Sequence, residues 1–166
     1  VAISFDDGFA NNFHLACSIL DDFNVSTIFY ICSGLIGKKD LFWADKIEAC
    51  INNTKKDKIE IYLDKKYSFI LKDRETKIHA NVIINKFCKR SKINIRNRIL
   101  NELQKLTEVE PNLNMSLNYE VMNWSQLIKI NNNKLFTIGG HNLYHDTFTK
   151  ISHNKIYDEI YNTIHL

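Results

Sequence analysis

The chain has 166 residues, enough to bury one sizeable hydrophobic core. Hydrophobic residues make up 45% and charged residues 25%, ordinary for a soluble globular protein and far from a disordered or fibrous composition. The net charge of +3 comes from Lys and Arg interleaved with Asp and Glu, and no recognition motif accompanies it, so nucleic acid is not an expected partner. No apolar run reaches membrane-spanning length. The four cysteines, Cys17, Cys32, Cys50 and Cys88, are well separated and contain no C-x-x-C pair. They read as free thiols, which favours a reducing compartment.

In chain order, Val1–Phe5 reads as a strand and runs directly into Asp6-Asp7-Gly8. Residues 11–23 read as a helix with Phe13, Ala16, Leu20 and Phe23 on one face. Val25–Cys32 is β-branched and aromatic and reads as a buried strand. Residues 42–52 read as a helix, so the first third is a βαβ pattern of parallel strands. The middle differs. Lys58–Leu63 and Tyr67–Leu71 alternate around a turn and read as a hairpin, followed by two charged amphipathic helices at about 73–89 and 95–106. A short helix at 124–130 and an Asn-rich turn lead to the strand 134–138, which runs into Gly139-Gly140-His141-Asn142-Leu143-Tyr144-His145. Ser152 caps a last helix with Ile156, Ile160 and Ile164 in one stripe.

The chemistry is expected at two strand ends. Adjacent carboxylates raise each other's pKa, and a divalent cation removes that conflict. An isolated D-D-G is more often a turn in which an Asp caps a helix, and an isolated HxxxH pair is more often solvated. Two His four apart share one face if the segment makes a helical turn, and a carboxylate from elsewhere completes three ligands. Strand-D-D-G together with strand-G-G-H-x-x-x-H is much more specific, because α/β folds place their chemistry at the C-terminal ends of strands.

These residues resemble a family. Ser4-Phe5-Asp6-Asp7-Gly8 looks like the first motif of the polysaccharide deacetylases, the NodB-homology family, and His141 to His145 looks like the second. Leu41-Phe42-Trp43, Met122-Asn123-Trp124 and Phe148-Thr149-Lys150-Ile151-Ser152 share the family's cadence. The resemblance covers roughly residues 1–50 and 120–166. It implies an α/β fold, a partial distorted (β/α) barrel with a mostly helical insertion. Barrel parts are expected at about 1–52 and 121–166, and an insertion over the barrel at about 55–118, all within one domain.

The implied activity is metal-dependent hydrolysis of N- or O-acetyl groups on an oligo- or polysaccharide. Asp6 matches the general base, and Asp7, His141 and His145 match the ligands of a divalent metal, most often zinc. Asn142 stands where Ser or Thr is usual and can donate a hydrogen bond that orients the loop. Asp146 stands where Pro is usual and reads as solvated or as a partner of a ligating His. The family's later Arg-containing and Leu-x-His motifs are not matched, and His165 reads as a helix residue. The sequence therefore reads as a fragment cut at both ends, inactive by itself. A non-catalytic, metal-stabilised carbohydrate-binding module is the alternative. A non-haem iron enzyme is another, since two His and a carboxylate also form that facial triad.

Within the expected insertion, Tyr62, Tyr67 and Phe69 read as core aromatics, with sugar contact as the other reading. Trp43 and Trp124 read as helix anchors, and Tyr144 as packing or lining the cleft. His14, His79 and His153 carry no pattern.

Overall fold

A computed structural model describes residues 2–165. Val1, which the sequence reading places in the first strand, and Leu166 lie outside the described residues. The chain divides into two compact units, each taken by itself. The first comprises the chain up to Asp40, Ser116–Asp146 and the segment from Ser152 onward, and the second comprises Leu41–Met115 with Thr147–Ile151.

The first unit is built on a parallel sheet of three strands, β1 (Ile3–Phe5), β2 (Thr27–Ile31) and β5 (Phe136–Gly140), in the order β1-β2-β5. Phe5 pairs with Phe29, and Ile31 with Gly140. Phe29 is fully buried, stacked on Phe5 at 5.4 Å and edge-on to Phe136 at 5.5 Å, so one face of the sheet carries an aromatic core. Burial along β2 alternates, and Ile28 remains 36% exposed. A strand buried on both faces, the sequence expectation, would not alternate in this way.

The expected partial (β/α) barrel is not what forms. The parallel sheet is open, with β1 and β5 as its edges, and the other two strands make a separate antiparallel pair. Closure into a barrel of this kind takes about eight tilted parallel strands. Three strands in this order bring no edge round to meet the other. The topology is therefore mixed α/β with two small open sheets, not a TIM-like barrel.

A π-helical turn, Asn12–Ala16, runs into α1 (Cys17–Asp22), and only Leu20 of α1 is buried. Phe23, expected on the apolar face, is 77% exposed just past the helix end. α5 (Trp124–Asn131) starts with a reciprocal cap between Asn123 and Gln126. α6 (His153–Ile164) is capped by Ser152, as its sequence predicts. Its inward face is not the isoleucine stripe, however. Ile160 and Ile164 are 45% and 72% exposed, and the fully packed residue is Glu159, at 2%.

The second unit contains α2 (Trp43–Asn53), the hairpin β3 (Lys58–Tyr62) and β4 (Lys66–Ile70), α3 (Arg74–Arg90) and α4 (Ile93–Thr107). Its core interleaves the inward faces of these elements, with Ile47, Ile61, Phe69, Ile84 and Leu103 all nearly fully buried. Phe69 joins this core and stacks on half-buried Tyr67, whereas Tyr62 is 59% exposed. The Trp43 ring packs against this core beneath the Arg96 guanidinium, 5.1 Å from its centroid. Asp73 and Thr76 form the capping box that starts α3. Glu108 closes α4 in a left-handed conformation.

The hairpin surface carries a small pH-dependent contribution. Lys66 and Lys58 contact the two oxygens of Glu60 at 2.6 and 2.9 Å. Hydrogen bonds from Lys66 and then Lys58 hold the Glu60 carboxyl down at about 2. A depressed carboxyl contributes stability that is present above its unfolded value, near 4.5, and lost as pH falls through the folded value. Urea midpoints of Glu60→Gln should therefore match the wild type at pH 2 and fall slightly below it above pH 4.5. The effect is small because the pair is exposed.

Candidate metal centre

The site is assembled by the three neighbouring strand ends of the first unit. Just past β1, Asp7 and Gly8 both take left-handed backbone angles, φ +71° and +86°, and the Gly8 N–H donates to the Asp6 carbonyl at 2.9 Å. Such a turn is costly for most residues but tolerated by Asp and free for Gly. It separates the two carboxylates: Asp7 is half-buried and Asp6 is exposed. The strand ends are tied by backbone hydrogen bonds. The Cys32 N–H donates to the Asp7 carbonyl at 3.3 Å, and the His141 N–H donates to the Ile31 carbonyl at 2.9 Å. Parallel pairing thus brings residue 7 and residue 141 to the same end of the sheet across β2.

The helical turn that the spacing of His141 and His145 suggests does not form. Residues 141–146 form an irregular loop in which Asn142 and His145 are left-handed, φ +68° and +59°. The Asn142 side chain makes this fold-back: its Oδ1 accepts from the His145 N–H at 2.6 Å, and its Nδ2 donates to the Asp146 carbonyl at 3.1 Å. Asn is among the few residues that hold this conformation and bond their own backbone locally. The hydrogen-bond donation expected of Asn142 is therefore present. The loop docks on the segment after β2 through Ser33 N–H to the Asn142 carbonyl, 3.1 Å, and Gly34 N–H to the Leu143 carbonyl, 3.0 Å.

The result is a cluster of Asp7, His141 and His145, all half-buried, with one donor atom of each within 4.8 Å of the others. Asp7 Oδ1 stands 3.5 Å from His141 Nε2 and 3.4 Å from His145 Nε2. The two imidazoles lie 5.5 Å apart with an interplanar angle of 29°. Ligands about 2.0–2.1 Å from a tetrahedral ion stand roughly 3.3 Å from one another, so the two carboxylate–imidazole spacings fit a shared cation. Three protein donors, one oxygen and two nitrogens, leave a coordination position open. The cluster can coordinate a divalent metal.

Cys32 and Glu159 also belong to this centre, and sequence reasoning gave neither a role. Cys32 is the residue after β2, fully buried between the two ligand segments. Its Sγ is 3.4 Å from the His141 carbonyl and 3.8 Å from both Asp7 Oδ1 and Asn142 Oδ1. Burial first, and the Asp7 charge second, push this thiol upward, so it stays a neutral S–H donor. The available signal was positional: Asp7, Cys32 and His141 each follow a strand of one parallel sheet. Glu159 accepts the Leu143 N–H on Oε2 at 2.9 Å. Asp146 is 5% exposed and pairs with Lys155 at 3.2 Å, so it is buried rather than solvated. Tyr144 is 43% exposed and lies against Gly34, with Lys38 Nζ 5.4 Å from its ring centre. His165 stacks on Tyr161 at 4.2 Å at the end of α6.

Among the described residues no helix is long and apolar enough to cross a membrane. Compared with known proteins, the chain matches no family model, no curated protein and no solved structure. The resemblance to polysaccharide deacetylases accordingly rests on the two motifs and their setting, without support from those comparisons.

Proposed function

We propose that this chain carries the metal site of a hydrolase that removes N- or O-acetyl groups from a carbohydrate, with zinc as the metal. The observation that carries the reading is the meeting of Asp7, His141 and His145 at one end of a parallel sheet, beside a second carboxylate, Asp6, that remains exposed. Asp7 and the two imidazole Nε2 atoms would hold the ion. Bound zinc supplies a Lewis acid that polarises an acyl carbonyl and acidifies water. Asp6 takes the proton from the attacking water on its carboxylate, the role of a general base. Its exposure leaves that carboxylate accessible to a substrate arriving from solvent. Cys32 Sγ lies 3.8 Å from Asp7 Oδ1, and the Asn142 side chain folds back the loop that carries the two imidazoles. The sugar specificity follows from the motif resemblance alone.

The test is acetate release from N-acetylated and O-acetylated sugar oligomers by the zinc-loaded protein. Turnover that stops on chelation and returns with zinc is the expected result. An iron-loaded protein that consumes dioxygen, with no acetate released by any metal form, would assign the same three ligands to a facial-triad oxygenase instead.

A further inference from the structure

We propose that Glu159 is a positioning residue for the metal centre: its buried carboxylate sets the spacing of His141 and His145 by holding the backbone between them. This rests on the metal-centre reading above. Glu159 lies in the middle of α6 at 2% exposure. A carboxylate that deep is costly to bury unless it is hydrogen-bonded. Its Oε2 accepts the N–H of Leu143, a residue itself only 9% exposed, at 2.9 Å. Leu143 sits midway between the two histidines, and its carbonyl accepts from the Gly34 N–H. The N–H and the carbonyl of Leu143 are therefore both held, one by α6 and the other by the segment after β2.

One turn earlier on the same helix, Lys155 reaches the buried Asp146 carboxylate, the residue immediately after His145. Side chains four apart lie on one helix face, so α6 grips the ligand loop at two points. This explains why the packed residue of α6 is a glutamate while Ile160 and Ile164 are left exposed. A loop with two left-handed residues returns to other conformations unless such contacts over-determine it. Removing Glu159 leaves the Leu143 N–H without an acceptor in a buried place and frees the loop to open between the ligands.

The experiment compares wild type, Glu159→Ala and Glu159→Gln by zinc affinity in chelator competition. It adds the nuclear Overhauser contact between the His141 and His145 rings in metal-free protein, with circular dichroism as a check on folding. Glu159→Ala should bind zinc 10–100-fold more weakly, the usual cost of losing a group that orients ligands, and should lose the ring-to-ring contact. Glu159→Gln keeps an acceptor oxygen and should restore both. A folded Glu159→Ala with wild-type zinc affinity and an intact ring contact overturns the proposal. So does a folded Glu159→Gln that loses as much as Glu159→Ala. Neither readout involves acetyl release, so failure of the deacetylase reading leaves this one standing. If the wild type binds no zinc, the ring contact in metal-free protein decides it.

Discussion

Asp7→Asn should abolish high-affinity metal binding, and Asp6→Asn should leave it nearly intact. The two residues are neighbours in sequence, but the left-handed turn at Asp7 and Gly8 separates their surroundings. Asp7 Oδ1 stands 3.5 and 3.4 Å from the two imidazole Nε2 atoms. An amide oxygen in its place carries no charge and is a weaker donor to a divalent ion. Asn tolerates φ near +70°, so the substitution should preserve the turn and act on coordination alone. The loss of affinity should exceed the ~100-fold upper range for residues that merely orient ligands. Excess metal should restore part of the activity. Asp6→Asn should keep the metal but lower acetate release by roughly 10²–10⁴-fold, the contribution of a general base. Metal content and acetate release are measured on both variants in parallel. Loss of metal from Asp6→Asn with retention by Asp7→Asn would mean that the roles are exchanged. Normal metal content and turnover in both would remove the site assignment.

Gly34→Ala should damage the same centre without touching a ligand. A Cβ on Gly34 would stand 2.7 Å from the Leu143 carbonyl oxygen and 2.7 Å from the Tyr144 ring. Real Cβ atoms do not approach a backbone oxygen so closely, and that oxygen cannot turn aside as a side chain can. It is held by the Gly34 N–H itself and lies next to the Leu143 N–H bonded to Glu159. The strain therefore passes into residues 141–145. Overpacking of this kind costs about 1–3 kcal/mol. The expected result is a lower urea midpoint together with weakened zinc binding. By contrast, Gly37→Ala meets only the Trp124 ring, at 3.7 Å. It should leave zinc binding unchanged even if its own left-handed backbone, φ +68°, costs stability. Equal zinc affinity in Gly34→Ala and wild type would show that the loop does not transmit the clash.

The elements that were legible in the sequence are those whose burial pattern is local. The hairpin of β3 and β4 follows from its alternation, and α3 and α4 from their amphipathic patterns. The convergence of Asp7 with His141 and His145 was legible too, because parallel strands carry their C-terminal residues to one edge of the sheet. The loop conformation was not. Spacing of four suggested a helical turn, but Asn142 competes for the backbone by bonding the His145 N–H and reverses the chain. The isoleucine stripe does not say which face of α6 packs: the buried residue is Glu159, bonded to the Leu143 N–H, while Ile160 and Ile164 stay exposed. The barrel was inferred from motif likeness, and no periodicity within a strand says how many strands will pair. Cys32 is legible only by position, just past a strand of the same parallel sheet as Asp7 and His141, because a lone thiol has no pattern of its own.

The three left-handed residues other than glycine at the centre also limit which sequences can occupy it. Asp7, Asn142 and His145 all sit where a β-branched side chain would clash with its own backbone. Viewed as a position in sequence space, Asn142 is as confined as either ligand that flanks it, though it donates nothing to a metal. Gly or Asp can hold that backbone angle, though Asp loses the Nδ2 donor and Gly both side-chain bonds, whereas Val, Ile or Thr would have to arrive with a different loop. The centre therefore has more heritable positions than it has ligands, and the additional ones are chosen by backbone shape.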